Sequence, residues 1–309
     1  MNLKQKAFKG IIWSAIESWG RQAISTIIFF VLARLLTPEA FGLIALSSVF
    51  IAFIQIFLDQ GFSQAIVQRE KVEPEHLDTA FWTNITISTL LTLTSITFAD
   101  EIALLFKEPA LASILRWLSL NFILISLSSV QEAVLARQFA FKALATRSLI
   151  AIVVGGSIGL GMAISGYGVW SLVAYQLVNA SVRVLVLWWS SDWRPGFKVS
   201  LLHFKQLFSF GINIVGNNCL SFLDRRSDDF LIGFFLGSVA LGYYSIAYKV
   251  LLTTTELLMG FVNKVAMPVF SRLQDNPERL RQAFYRSTQL TSLIAFPCFI
   301  GIALSAPEI

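Results

Sequence analysis

The sequence is poor in charge and in the residue types that usually carry chemistry. Only 14% of its 309 residues are Asp, Glu, Lys or Arg, where a water-soluble domain carries about 25%. A chain this short of charge, 55% hydrophobic and with a mean hydropathy of +0.68, calls for a bilayer rather than water as its solvent. Its two histidines, His76 and His203, fall in polar connections, which argues against a His-based metal or catalytic centre. Its two cysteines, Cys219 and Cys298, sit in apolar runs and read as small buried hydrophobes rather than a disulfide or a ligand pair. No A-x-A-like site follows the basic start MNLKQKAFKG, so no cleaved signal peptide is expected. The glycines of GGSIGLG (155–161) have no Lys-Ser/Thr behind them. They suit close helix packing, not a phosphate loop.

What the sequence has in abundance is long apolar runs. A helix needs about 20 apolar residues to cross a bilayer. The runs read as spans at 10–35, 41–63, 79–99, 112–134, 148–166, 168–190, 206–235, 241–267 and 288–306. Positive charge alternates between their connections. Lys4, Lys6, Lys9, Arg69, Lys71, Arg137, Lys142, Arg147, Arg194, Lys198, Lys205, Arg272, Arg279, Arg281 and Arg286 fall on one side, against Arg34 and Lys107 on the other. The positive-inside rule puts the first side, and the N-terminus, in the cytoplasm. The net charge of +5 is thus a topology signal, and nucleic acid is not an expected partner. ARQFAFKALATR (136–147) interleaves apolar and basic residues. It reads either as a short interfacial helix or as an ordinary basic loop.

An internal repeat runs through the chain. LLTPEAFGLIAL (35–46) aligns with FLGSVALGYYSI (235–246) at an offset of 200, bringing Gly42 onto Gly242. GF at 61–62 follows with GF at 260–261, AFWTN (80–84) with AFYRS (283–287), and ADEI (99–102) with APEI (306–309). An even number of spans separates the copies, which makes them parallel repeats about an axis along the membrane normal. The expected fold is all-α and integral to the membrane, with two parallel six-helix lobes of a transporter. The first lobe would cover 1–200, and the second, 201–309, would be truncated after its third helix. On that reading the chain is a fragment of a longer protein.

The most informative stretch is NNCLSFLDRRSDDFLIGFF (217–235). Five charges lie within it, yet the repeat aligns it with 17–35, which reads as one helix. The charges at 224–229 then need partners or water. Arg225–Asp229, Arg225–Asp228 and Arg226–Asp229 are spaced as helical neighbours. Asn213, Asn217, Ser221, Asp224 and Asp228 fall along one helical stripe. In the first span Ser14, Glu17 or Ser18, Arg21 and Ser25 do the same, and Glu17–Arg21 can form a self-satisfying pair. Gln55 and Asp59 share a face of the second span, and Lys249, Glu256 and Asn263 share one of the eighth. Arg183 sits late in the sixth, where it can snorkel to headgroups. Buried charges of this kind mark substrate or ion pathways. The candidate anion- and sugar-binding residues are Arg21, Asn213, Asn217, Asn218, Arg225, Arg226 and Lys249. The candidate ion-coupling residues are Glu17, Asp59, Asp224, Asp228, Asp229 and Glu256. No metal, cofactor or catalytic set is expected.

The stretches GIIWSAIE (10–17), LARLLTPEAFGLIAL (32–46), DQGFSQAIVQRE (59–70), LDTAFWTN (77–84), WRPGF (193–197), ALGYYSIAYKV (240–250) and MPVFSRLQ (267–274) carry a resemblance. The chain resembles the polysaccharide exporters of the multidrug/oligosaccharidyl-lipid/polysaccharide superfamily, and within it the lipopolysaccharide and colanic-acid type flippases of bacteria. The resemblance implies two six-helix lobes around a central cavity in the inner membrane. The activity it implies is the movement of an undecaprenyl-diphosphate-linked oligosaccharide from the cytoplasmic to the periplasmic leaflet by alternating access. Its implied partners are the lipid-linked oligosaccharide, membrane lipids and the glycosyltransferase or polymerase machinery. It supplies no compact motif, so the candidate residues rest on spacing alone.

Two other readings stay open on these residues. A cation-coupled multidrug-type exporter of the same fold would favour an acidic and aromatic cavity with few basic groups. A membrane enzyme of polysaccharide assembly would need a large outer loop carrying catalytic residues. The outer connections are short, near 37–40, 100–111, 167 and 236–240, and hold no paired acids or nucleophile–base set.

Overall fold

The computed structural model describes residues 3–58, 61–69, 72–273 and 276–306. Asp59 lies outside them, as do the side chains of Asn213, Asn263 and Lys264. The elements are all helices: α1 (Leu3–Leu35), α2 (Pro38–Gln55), α3 (Phe62–Gln68), α4 (Pro74–Thr97), α5 (Ala99–Phe106), α6 (Pro109–Arg137), α7 (Phe141–Ile164), α8 (Trp170–Ser190), α9 (Leu201–Leu273) and α10 (Pro277–Ser305). Four start on proline at N1 or N2, where the missing N–H costs nothing and φ is already helical. Among the described residues, six helices are long and apolar enough to cross a membrane, or seven if α4 and α5, bent by 49°, count as one span. The chain is a multi-pass helical membrane protein. α1 is not among the six, because Glu17, Arg21 and Gln22 interrupt its apolar run.

The chain divides into two compact units, Met1–Ile246 and Ala247–Ile309. In the first, α6 is central and touches α2, α3, α4, α5, α7 and α8. Its Leu111, Ile114, Leu115, Leu118 and Phe122 pack with Leu43 and Leu46 of α2, Ala99, Ala103 and Phe106 of α5, and Leu241. A polar seam joins α4 to α6: Ser88 to Ser126 at 2.8 Å, Asn84 to Ser129 at 3.1 Å, and Thr92 to the Ser119 carbonyl at 3.2 Å. Such hydroxyl pairs hold helices together where lipid supplies no hydrophobic drive. The α7 glycines do what their pattern suggested. A Cβ on Gly155 would stand 3.0 Å from the Tyr175 carbonyl, and one on Gly159 2.9 Å from the Tyr175 Cβ, so α7 and α8 approach closely.

The stretch 217–235 is helical throughout. The break lies beyond it, at Gly237 alone (φ 82°, ψ 179°), a backbone region open essentially only to glycine. There α9 reverses. Tyr244 lies 16 residues past Asp228, about 24 Å away along a straight helix, yet its hydroxyl donates to the Asp228 carboxylate. The two arms, 201–236 and 238–273, are therefore separate helices joined by one residue. The 136–147 stretch is neither interfacial helix nor basic loop. It is the end of α6, a corner at 138–140 with Phe139 at φ 57°, and the start of α7. Arg147 is correspondingly not a loop charge; it is 4% exposed within α7.

The connections assigned to one side do gather at one end of the first unit. Asp78, near the start of α4, accepts the Gly196 and Lys198 amides at 2.9 and 3.4 Å, and Thr79 accepts that of Ser200 at 3.1 Å. Trp82 donates to the Gly196 carbonyl at 2.7 Å and stacks on Phe197. LDTAFWTN and WRPGF are thus one docking pair. Arg137 caps the end of α3 by donating to the Ile66 and Arg69 carbonyls. Asp78 is 5% exposed, so Asp78→Ala should strand two amide donors and cost about 2 kcal/mol. A melting temperature in detergent equal to that of the parent would contradict this.

The second unit holds the rest of the α9 second arm and α10. Asn276 caps α10 by accepting the Arg279 amide at 3.1 Å. α10 has no buried residue among those described. Cys298 is exposed and Cys219 intermediate, so neither is the buried hydrophobe expected, and the two are free thiols.

Candidate functional site

The candidate site is a cleft of about 440 Å³ between α2 and the first arm of α9, lined by Ala52, Gln55, Ile56, Asn218, Ser221, Phe222, Arg225 and Arg226. Phe53 and Phe222 meet across the two helices at 5.4 Å. The lining positions of α9 fall at i, i+3, i+4, i+7 and i+8, one face of a helix. Three of the residues expected to bind substrate, Asn218, Arg225 and Arg226, are therefore brought together, with Gln55 opposite. The residues sequence reasoning missed are the apolar walls, Ala52, Ile56 and Phe222. Nothing distinguishes them from lipid-facing neighbours until the helices are docked.

Of the expected stripe, Ser221 lines the cleft, Asn213 falls outside the described side chains, and the others are turned from this face. Asn217 and Asp224 are exposed but do not line the cleft. Asp228 turns to Tyr244 and also accepts the Asp229 amide at 2.9 Å. Of the three ion pairs the spacing allowed, only Arg226–Asp229 forms, at 2.9 Å, with the Asp229 side chain 9% exposed. Asp229 is thus neutralised within α9 itself. Among the described residues Arg225 has no ion pair. The cleft therefore presents one guanidinium already partnered and one available, beside amide and hydroxyl groups.

A second polar group lies apart from the cleft, where α1, α6, α7 and α8 meet. Glu17 does not pair with Arg21; its Oε1 accepts the Ser148 hydroxyl at 2.6 Å. Arg147 donates twice to Glu132, at 2.8 and 3.0 Å. Arg183 lies near Arg147, Glu132, Arg21 and Glu17, and its Nε is buried with no hydrogen-bond partner among the described residues. Arg21 is exposed on α1. Lys249 and Glu256 belong to the second unit, the first half-buried and the second exposed.

The two histidines do not lie in separate loops. His76 is in the first turn of α4 and His203 in that of α9. Their ring centroids stand 4.2 Å apart, and Glu73 Oε2 is 3.3 Å from His203 Nε2.

At the opposite end of the first unit, two glycines meet reciprocally. A Cβ on Gly42 would stand 1.7 Å from the Ser238 carbonyl oxygen, and one on Gly242 1.8 Å from that of Pro38. The four residues are related in pairs by the offset of 200 found in the sequence.

A family model described as polysaccharide biosynthesis protein matches residues 31–309. Among curated proteins the chain is 30% identical over 300 residues to the succinoglycan biosynthesis transport protein ExoT of Rhizobium meliloti, covering 97% of this chain and 61% of that one. It is 26% identical to the lipopolysaccharide biosynthesis protein WzxC of Escherichia coli, covering 98% and 62%. It is 27% identical to the teichuronic acid biosynthesis protein TuaB of Bacillus subtilis, covering 97% and 63%. The chain thus spans about three-fifths of the length of these relatives. No solved structure matches it.

Proposed function

Since the chain belongs to the family of polysaccharide biosynthesis proteins, we propose that this protein carries an undecaprenyl-diphosphate-linked oligosaccharide from the cytoplasmic to the periplasmic leaflet of a bacterial inner membrane, with its N-terminus in the cytoplasm. The observation that carries the reading is the α2–α9 cleft with an arginine, Arg225, that makes no ion pair among the described residues. The lipid tail stays in the bilayer while the diphosphate and sugars pass between helices. Arg225, supported by Arg226, supplies the forked donors that fit phosphate oxygens. Asn218, Gln55 and Ser221 face the sugar hydroxyls. Arg21, Asn213, Asn217 and Lys249 are further substrate-binding candidates, on their spacing in the sequence alone. Coupling to a proton or sodium ion would fall to the acids with hydroxyl partners, Glu17 beside Ser148 and Asp228 beside Tyr244, with Asp59, Asp224, Asp229 and Glu256 as the remaining candidates.

The architecture proposed is two parallel lobes, 1–200 and 201–309, that rock against each other. Its support is the reciprocal glycine contact. If residue 42 meets 238 and residue 242 meets 38, a rotation that exchanges the copies leaves the contact unchanged. That is the mark of an isologous interface. The α1–α2 turn at 36–37 also matches the α9 reversal at Gly237.

The test is complementation of a flippase-deficient strain. The Arg225→Ala/Arg226→Ala protein should reach the membrane yet export at background level. Arg225→Ala alone, which breaks no ion pair, should melt within about 0.5 kcal/mol of the parent. Full export by the double variant would end the phosphate-clamp reading.

A further inference from the structure

Glu73, His76 and His203 place three potential ligand atoms, two imidazole nitrogens and a carboxylate oxygen, within 4.8 Å of one another. We propose that they form a binding site for a divalent transition metal of the zinc class, joining the start of α4 to the start of α9. Two imidazoles and one carboxylate, leaving room for water, suit such an ion better than calcium or magnesium, which take oxygen ligands. Bonds of about 2.0–2.1 Å set tetrahedral ligands about 3.4 Å apart, so His203 Nε2 and Glu73 Oε2, 3.3 Å apart, already stand at that spacing, and the widest of the other separations closes by at most about 1.4 Å.

Two further observations point the same way. His203 Nδ1 is buried and has no hydrogen-bond partner among the described residues. Its ring, 15% exposed, already sits against the Glu73 carboxylate, which is 63% exposed and leaves an open side for entry. His203 Nε2 and the Glu73 carboxylate are thus placed to share one ion, while Nδ1 on the far side of the ring makes no competing bond. The segment between the ligands is also held. The Gly196, Lys198 and Ser200 amides are bound to Asp78 and Thr79, so little chain remains to be ordered when the ion arrives.

The site has a built-in competitor. His76 Nδ1 accepts the Glu73 amide at 3.2 Å, and the Glu73 carboxylate in turn accepts the His76 amide. With Nδ1 acting as acceptor, the neutral ring carries its proton on Nε2. Metal capture through Nε2 moves that proton to Nδ1, and capture through Nδ1 displaces the amide; either way the His76 half of the cap is given up. Metal occupancy and the helix cap are therefore alternatives. Glu75, Lys198 and Asp78 face the same end of α4.

The test uses the full chain in detergent, purified on a tag free of histidine and titrated with Co²⁺ at pH 7.5. The expected result is a d–d absorption band of nitrogen-ligated cobalt that saturates at one equivalent and is displaced by Zn²⁺. His76→Ala and His203→Ala should each weaken binding by about tenfold or more. Glu73→Gln, which keeps an acceptor for the cap, should weaken it too. A spectrum like that of the aqueous ion overturns the proposal. So does a His76→Ala/His203→Ala protein that titrates like the parent. If the variants do not fold, the parent decides alone. The chain has only two histidines, so an imidazole modulation in the electron spin echo of bound Cu²⁺ identifies the site, and its absence rejects it.

Discussion

Replacing Gly242 by alanine is expected to cost about 3 kcal/mol or more and to reduce export to background. The added Cβ would fall 1.8 Å from the Pro38 carbonyl oxygen and 2.5 Å from its carbon. Neither can swing aside, because both are backbone at the start of α2. The helices must part, and overpacking of this kind usually costs about 1–3 kcal/mol. Here parting also loosens what is packed beside the crossing, including Gly233, whose absent Cβ would sit 2.3 Å from a Leu46 methyl. Gly42→Ala should act alike, since its Cβ would meet the Ser238 carbonyl. Gly161→Ala is the control. Nothing lies within 4 Å of its Cβ, and alanine in mid-helix should be neutral or stabilise by about 0.5–1 kcal/mol. Thermal unfolding followed by tryptophan fluorescence would rank the three. If Gly42→Ala and Gly242→Ala melt with Gly161→Ala, the crossing does not hold these helices together, and the proposed lobe interface loses its support.

Glu132→Ala is expected to destabilise by about 3 kcal/mol, within the range for breaking one side of a buried ion pair. The reason is what it leaves behind. The Arg147 side chain is 5% exposed, both its terminal nitrogens donate to Glu132, and its Nε has no partner among the described residues. Arg183 adds a second positive charge nearby. Glu132 is itself 49% exposed, which tempers the loss, because water reaching the site can screen part of the orphaned charge. Glu132→Leu/Arg147→Met should recover most of the stability, since removing both charges leaves nothing unpaired. A double variant as unstable as Glu132→Ala would show that shape, not charge, is what the pair contributes.

Several features were legible in the residue pattern, each for a local reason. Hydropathy over a window marks α2, α4 and α6–α8, because a backbone in lipid must satisfy its own hydrogen bonds and does so as a helix. The repeat, not hydropathy, carried 217–235 through its charges as one helix. The repeat located the reversal near 237 by analogy with 36–37, though not that one glycine would suffice. The grouping of the chain at 66–69, 137 and 191–203 at one end followed from alternating charge. Other features were not legible. Arg147 looked like a loop cation because the chain around it is basic. Its burial depends on Glu132, fifteen residues away on another helix. Glu17 had a partner four residues on, yet Ser148 took that place.

Composition and periodicity alone determined that this chain leaves water and where most of its long helices run, though not that the expected span 41–63 breaks after Gln55, nor the short helices α3 and α5. The properties so determined depend on a residue and its near neighbours, so a linear pattern carries them. Only the tertiary structure decided which charges meet. Each residue turns a helix by about 100°, so a small rotation of the first arm of α9 put Asn218, Ser221 and Arg225 in the cleft instead of Asn217 and Asp224. The pairing of His76 with His203 likewise arose from α4 and α9 starting side by side, a contact between residues far apart in the chain that no local spacing encodes.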